Sequence, residues 1–108
     1  MAAKVNILMD QGTTFTTSFT ILDDTDTPVN FTSYTGTSQL RKSYTSSNSY
    51  AFGVGLSSNG VITLSMNSAT TSSITAGRYL YDVEVIDVNL VTSRIVEGIV
   101  TVTPQITR

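Results

Sequence analysis

The side chains with the plainest capacity for chemistry are three carboxylates in one short stretch, Asp23, Asp24 and Asp26. Oxygen ligands at this density suit calcium. A calcium loop, however, alternates Asp or Asn with a glycine and ends on a distant Glu, and that pattern is missing here. The alternative is a solvated turn whose aspartates bond their own backbone, and the missing ligands favour it. Histidine and cysteine are both absent from the chain. This removes the commonest general base, the common zinc ligands and the thiol nucleophile. Serine abounds, but no Gly-x-Ser-x-Gly elbow is present and no imidazole could activate one. A serine–lysine or paired-carboxylate site is the enzymatic chemistry left open, with 13% charged residues to build it from. The expectation is a protein that is not an enzyme and uses no cofactor or metal.

Three further groupings have a functional and a structural reading. Asn30-Phe31-Thr32 fits the N-glycosylation acceptor, a three-residue match in a Thr-rich chain without a secretion signal, and so most simply accidental. Tyr34, Tyr44 and Tyr50 could line a carbohydrate-binding face; such tyrosines are more often core or edge residues. Tyr79 and Tyr81 stand beside Arg78 and Asp82, yet the spacing puts both rings inward and both charges outward. A tyrosine at the start of a late strand commonly ties the preceding corner through its hydroxyl.

The elements that must position these residues are strands. Lys4 to Met9 predicts a short one, followed by a turn at Asp10-Gln11-Gly12. Thr13 to Leu22 alternates cleanly, with Phe15, Thr17, Phe19 and Ile21 on one side and hydroxyls on the other. Val29 and Phe31 return to the core after the Asp-rich loop. Tyr34 to Lys42 and Tyr50 to Leu56 are the next strands, and Asn59-Gly60 signals a hairpin into Ile62, Leu64 and Met66. Asn67 to Ala76 predicts one helical turn, capped by Asn67 or Ser68, with Ile74 plugging the core. Gly77 to Ile86 and Arg94 to Thr103 then form a long final hairpin. Gly98 interrupts its second arm and points to a bulge or to another backbone passing close by.

Length and composition bound the rest. The 108 residues suffice for one hydrophobic core, so a single domain over 1–108 is expected. A net charge of −2 gives no footprint for nucleic acid or an anionic membrane. No apolar run near the N-terminus is long enough for a signal-peptide core or a span, so export by the general secretory route is not expected. Seven strands with turns every 8–12 residues or so predict an all-β, antiparallel sandwich of immunoglobulin type. The last strand carries Ile95 and Ile99 on one side and Val96, Val100 and Val102 on the other, more apolar surface than a chain of this size can cover. Together with the apolar N-terminal strand, this makes Val5, Ile7, Ile95 and Ile99 candidate partner contacts and a homo-oligomer the expected state.

Two segments carry a family resemblance. The first runs Asp10-Gln11-Gly12-Thr13-Thr14-Phe15 through Ile21, then Asp24-x-Asp26-x-Pro28-x-Asn30-Phe31-Thr32-x-Tyr34, ending near Arg41. The second is Gly77-x-Tyr79-x-Tyr81-Asp82-Val83-x-Val85, then Arg94-Ile95-Val96-x-Gly98-x-Val100-x-Val102-x-Pro104-x-Ile106-Thr107-Arg108. Together they resemble small immunoglobulin-like domains of tailed-phage virions, such as the N-terminal domain of upper baseplate proteins and structural proteins of T4-like cyanophages. Thr27 departs from the glycine common before the proline in that family. The resemblance implies a non-enzymatic structural protein located in the virion, a rigid adaptor in a tail or baseplate whose partners are other virion proteins. Capsid decoration and a carbohydrate- or cell-surface-binding module are the alternatives.

Overall fold

The computed structural model describes residues 3–23, 25–43 and 49–106. They form eight strands and one short helix: β1 Ala3–Lys4, β2 Ile7–Asp10, β3 Phe15–Thr20, β4 Thr35–Arg41, β5 Tyr50–Leu56, β6 Val61–Met66, α1 Ser68–Ser72, β7 Gly77–Ile86 and β8 Thr92–Thr103. The fold is all-β, as the alternation predicts. Two details of that expectation are corrected. The N-terminal strand is two pieces, interrupted at Val5-Asn6, so there are eight strands and not seven. Both pieces also run parallel to β8, so the sheet is mixed and not purely antiparallel. Alternation fixes which side chains face inward but carries no information on strand direction. The one flank of β8 not taken by β7 receives the N-terminus in parallel.

Strand order is β1-β8-β7-β4-β5-β6-β3, with β2 also beside β8. β5 is the pivot. Residues Tyr50, Ala51 and Phe52 pair with β4, whereas Gly53 to Leu56 pair with β6. The chain curls there, because Phe52 touches Tyr81 on one side (ring centroids 6.2 Å apart) and Phe15 on the other (5.9 Å). Tyr81 of β7 and Phe15 of β3, far apart in the strand order, thus both touch the Phe52 ring of β5. One apolar cluster fills the curl, with Met9, Leu40, Ile62, Leu64, Val83, Val96 and Val100 fully buried.

Local chemistry explains the corners. Asn67 caps α1, its Oδ1 accepting from Thr70 N–H at 2.8 Å, and Ile74 is fully buried just beyond. Thr71 Oγ1 donates to Thr13 O at 2.7 Å and so fastens α1 to the start of β3. Gly60 has φ +78°, the left-handed geometry that lets Asn-Gly close the β5–β6 turn.

Candidate functional site

The outer face of β4, β7, β8 and β1 concentrates the charges. Its cross-strand rows are Thr37–Glu84–Arg94, Gln39–Asp82–Glu97–Lys4 and Arg41–Leu80–Ile99. All of these but Thr37 line a shallow groove of about 610 Å³, with Leu80 and Ile99 as its apolar part. Arg94 Nε lies 3.1 Å from Asp82 and Arg94 Nη1 lies 3.5 Å from Glu97, so one guanidinium holds both carboxylates. These groups are partly exposed, and such pairs contribute about 0–1 kcal/mol. Arg41 Nη2 donates to Gln39 Oε1 at 2.9 Å. The arrangement is a self-compensated surface that can exchange ion pairs and hydrogen bonds with another polar surface.

How Arg94 reaches this face was not legible in the sequence. By simple alternation Arg94 belongs with Val96, Val100 and Val102, pointing inward. The register shifts between Val83↔Val96 and Glu84↔Arg94, which leaves Ile95 as an extra, bulged residue. The bulge reverses the parity of the strand, so Val96 fills the core while Arg94 turns out to Asp82. Without it a guanidinium would be buried unpaired, at a cost of several kcal/mol.

The expected contact residues scatter. Ile7 is 7% exposed and belongs to the core, which corrects its assignment as a partner contact: the pairing of β2 with Val100 turns it inward. Val5 and Ile95 are half-buried and pack against the core. Ile99, 37% exposed on the outer face, is the one that offers appreciable surface.

The same holds for the other candidates. Asp24 and Tyr44 lie outside the described residues. Asp23 Oδ1 accepts from the Thr25 hydroxyl (2.7 Å) and from the N–H groups of Thr25 (2.9 Å) and Thr27 (3.0 Å). These bonds, the Thr25 hydroxyl foremost, hold its carboxyl below the ordinary 3.8. Asp23 thus uses its oxygen within a turn, and among the described residues no group of three or more metal-ligating side chains comes together. Asn30 Oδ1 likewise accepts from Thr32 N–H and hydroxyl. Tyr34 packs edge-on to Phe31, whereas Tyr50 pairs with Leu40 at the far end of β4. These two tyrosines lie at opposite ends of β4, each packed against the core.

Tyr79 and Tyr81 are structural. Tyr79 Oη donates to Thr75 O at 2.6 Å, tying the corner before β7. Tyr81 Oη donates to Val5 O at 2.6 Å, holding the break between β1 and β2. Burial pushes the Tyr81 phenol up to about 12 and, with a contribution from Tyr50, also raises that of Tyr79. Gly98 is where the other backbone passes: a Cβ there would lie 2.1 Å from Val5 O. Sequence reasoning missed Gln11. Its Nε2 donates to Ile74 O (2.8 Å) and its Oε1 accepts from Gln105 N–H (3.0 Å), joining three distant segments. Nothing in a turn glutamine's neighbours signals that role.

At the opposite end of the hairpin, the turn after β7 exposes Val88 (68%), Leu90 (82%) and Val91. Asp87 Oδ1 accepts from Asn89 and Val91 N–H, and Leu90 sits at φ +64°. Left-handed geometry is costly for leucine, so this tip presents aliphatic side chains at the expense of backbone comfort.

No protein-family model matches the chain, and no curated protein does. Among solved structures, a chain from the structural analysis of a family 123 glycoside hydrolase from Clostridium perfringens superposes with a TM-score of 0.44 at 9% identity. The match covers 97% of this chain and 24% of that one, so the chain spans about a quarter of its length.

Proposed function

We propose that this chain is a non-enzymatic structural protein of a tailed-phage virion, an immunoglobulin-like sandwich serving as a rigid adaptor between neighbouring virion proteins. In this reading the β3–β6–β5 part of the sheet is one layer and the β8–β7–β4 part the other, with β5 passing between them. The observation that carries it is the β7–β8 tip. Val88, Leu90 and Val91 stand exposed on a hairpin whose root is fixed by the Tyr79 and Tyr81 hydroxyls. Exposed aliphatic residues on a rigid support suit docking onto another protein. The family resemblance supplies the particle. The charged outer face around Arg94 suits a polar contact at the rim of such an interface.

Mass spectrometry of purified particles, followed by a density map, tests the proposal. The chain should be present at a stoichiometry set by particle symmetry, and the map decides between tail, baseplate and capsid. Its absence from purified particles overturns the reading. A glycan array addresses the binding-module alternative, for which specific sugar capture is required.

A further inference from the structure

We infer that the free edge of β3 pairs with the same edge of a second copy of this chain, antiparallel about a two-fold axis at Ser18. This deepens the assembly reading above and rests on its premise that the chain docks onto neighbours, though not on which particle holds it.

Among the described residues, β6 is the one ladder partner of β3, through six pairs in unbroken register from Phe15↔Met66 to Thr20↔Val61. Ile21 N–H donates to Gly60 O at 2.8 Å and continues that ladder. Backbone direction alternates along a strand, so the N–H and C=O groups of Thr16, Ser18 and Thr20 face away from β6. Edge strands are normally guarded by charge, proline, a bulge or shortness. From Thr13 to Ile21 there is no charged residue, no proline and no glycine, and β3 has no bulge. This edge is unguarded.

The choice of a second copy follows from the same residues. An uncharged strand meets its own copy without like-charge repulsion, and Thr and Ser pair well across antiparallel strands. With the axis at Ser18, Thr16 faces the Thr20 of the other copy, and the three outward residues of each strand exchange about six backbone hydrogen bonds. The neighbouring outer face offers no obstruction: Thr16 and Ser18 sit beside Ser65 and Thr63, with Gly53 and Gly55 beyond. A ladder of six residues spans about 20 Å, less than a large obligate interface, so the association is reversible.

Light scattering after size exclusion, on the full chain from micromolar to millimolar concentration, tests this. The weight-average mass of the wild type should climb toward twice the monomer value. In Ser18→Pro the lost N–H is one that points away from β6, so the internal ladder is untouched. In Ser18→Lys two ammonium groups would meet across the axis. Both variants should keep the wild-type circular dichroism spectrum and stay monomeric throughout the range. A wild type that remains monomeric at millimolar concentration overturns the inference and leaves the virion reading to the particle experiment. A wild-type dimer unchanged in the folded Ser18→Lys protein also overturns it, while the broader premise of docking survives.

Discussion

At one edge of the sheet β1 and β2 lie against β8 in two short pieces, whereas at the other β3 runs unbroken along β6. The first edge is fastened by specific chemistry. Val5 N–H donates to Glu97 O, Tyr81 Oη donates to Val5 O, Asn6 Oδ1 accepts from Ile99 N–H, and Gly98 leaves the room that all of this needs. Lys4 and Asp10 add charge at its ends, and the interruption at Val5-Asn6 denies a newcomer a long regular template. The β3 edge has none of this. Its hydroxyls keep it compatible with water without blocking a strand, which is the difference between a polar surface and a protected one.

Substitutions at the two edges should differ in cost, the largest loss falling where an N–H is taken from the β3–β6 ladder. Thr17→Pro removes an N–H that points to β6, and should cost about 3 kcal/mol or more in urea unfolding. Ser18→Pro, one residue on, should stay within about 1 kcal/mol of wild type, because proline is tolerated where the N–H faces solvent. Equal losses at the two positions would mean that the alternation assigned to β3 is reversed.

Gly98→Ala comes next. Its new Cβ would lie 2.1 Å from Val5 O, a backbone atom that cannot swing aside. A loss of about 2–3 kcal/mol is expected, with faster hydrogen exchange along β1 and β2 than along β3. Tyr81→Phe keeps the ring but leaves Val5 O without its hydroxyl donor, a loss of about 1–2 kcal/mol. The pattern of exchange should again be confined to the N-terminal edge.

Two pH responses sharpen the contrast between buried and exposed groups. The folded state favours the neutral Tyr81 phenol, raised by burial from 10.0 to about 12. Its contribution is therefore complete below pH 10 and lost as pH rises through about 12. Absorbance at the tyrosinate band should show a late-ionising tyrosine whose ionisation coincides with unfolding. Asp23 works in the other direction. The Thr25 hydroxyl and the Thr27 and Thr25 amides lower its pKa, so its turn is stabilised above pH 3.8 and loosens as pH falls through the depressed value. Titration of the Thr25 and Thr27 amide shifts should give a midpoint below 3.8, with no global unfolding.

Much of the fold was legible because period-2 patterning speaks directly about burial. Phe15, Ile62, Leu64, Met66, Tyr79, Tyr81, Val83 and Val85 all face the core as their spacing requires. The helical turn with its Ile74 plug and a cap at Asn67 or Ser68, which the structure shows to be Asn67, and the Asn59-Gly60 turn were legible too, since each depends on a few adjacent residues. The surface rows were not. Arg94 appears on the wrong side of its strand until the Ile95 bulge is known, and a bulge is set by how two strands meet. Ile7 likewise read as a contact residue because its neighbour across the sheet was unknown.

The sequence alone established that this chain is all-β, which side chains of most strands form the core, and where its turns fall. It also determined that β3 carries no charge or proline. The folded chain alone shows that β1 and β2 lie parallel to β8, that Arg94 gathers Asp82 and Glu97, and that β3 ends the strand order of the described residues. The physical reason is range. Alternation and turn chemistry act over a few residues, whereas strand direction, bulges and edges depend on which distant segment arrives alongside.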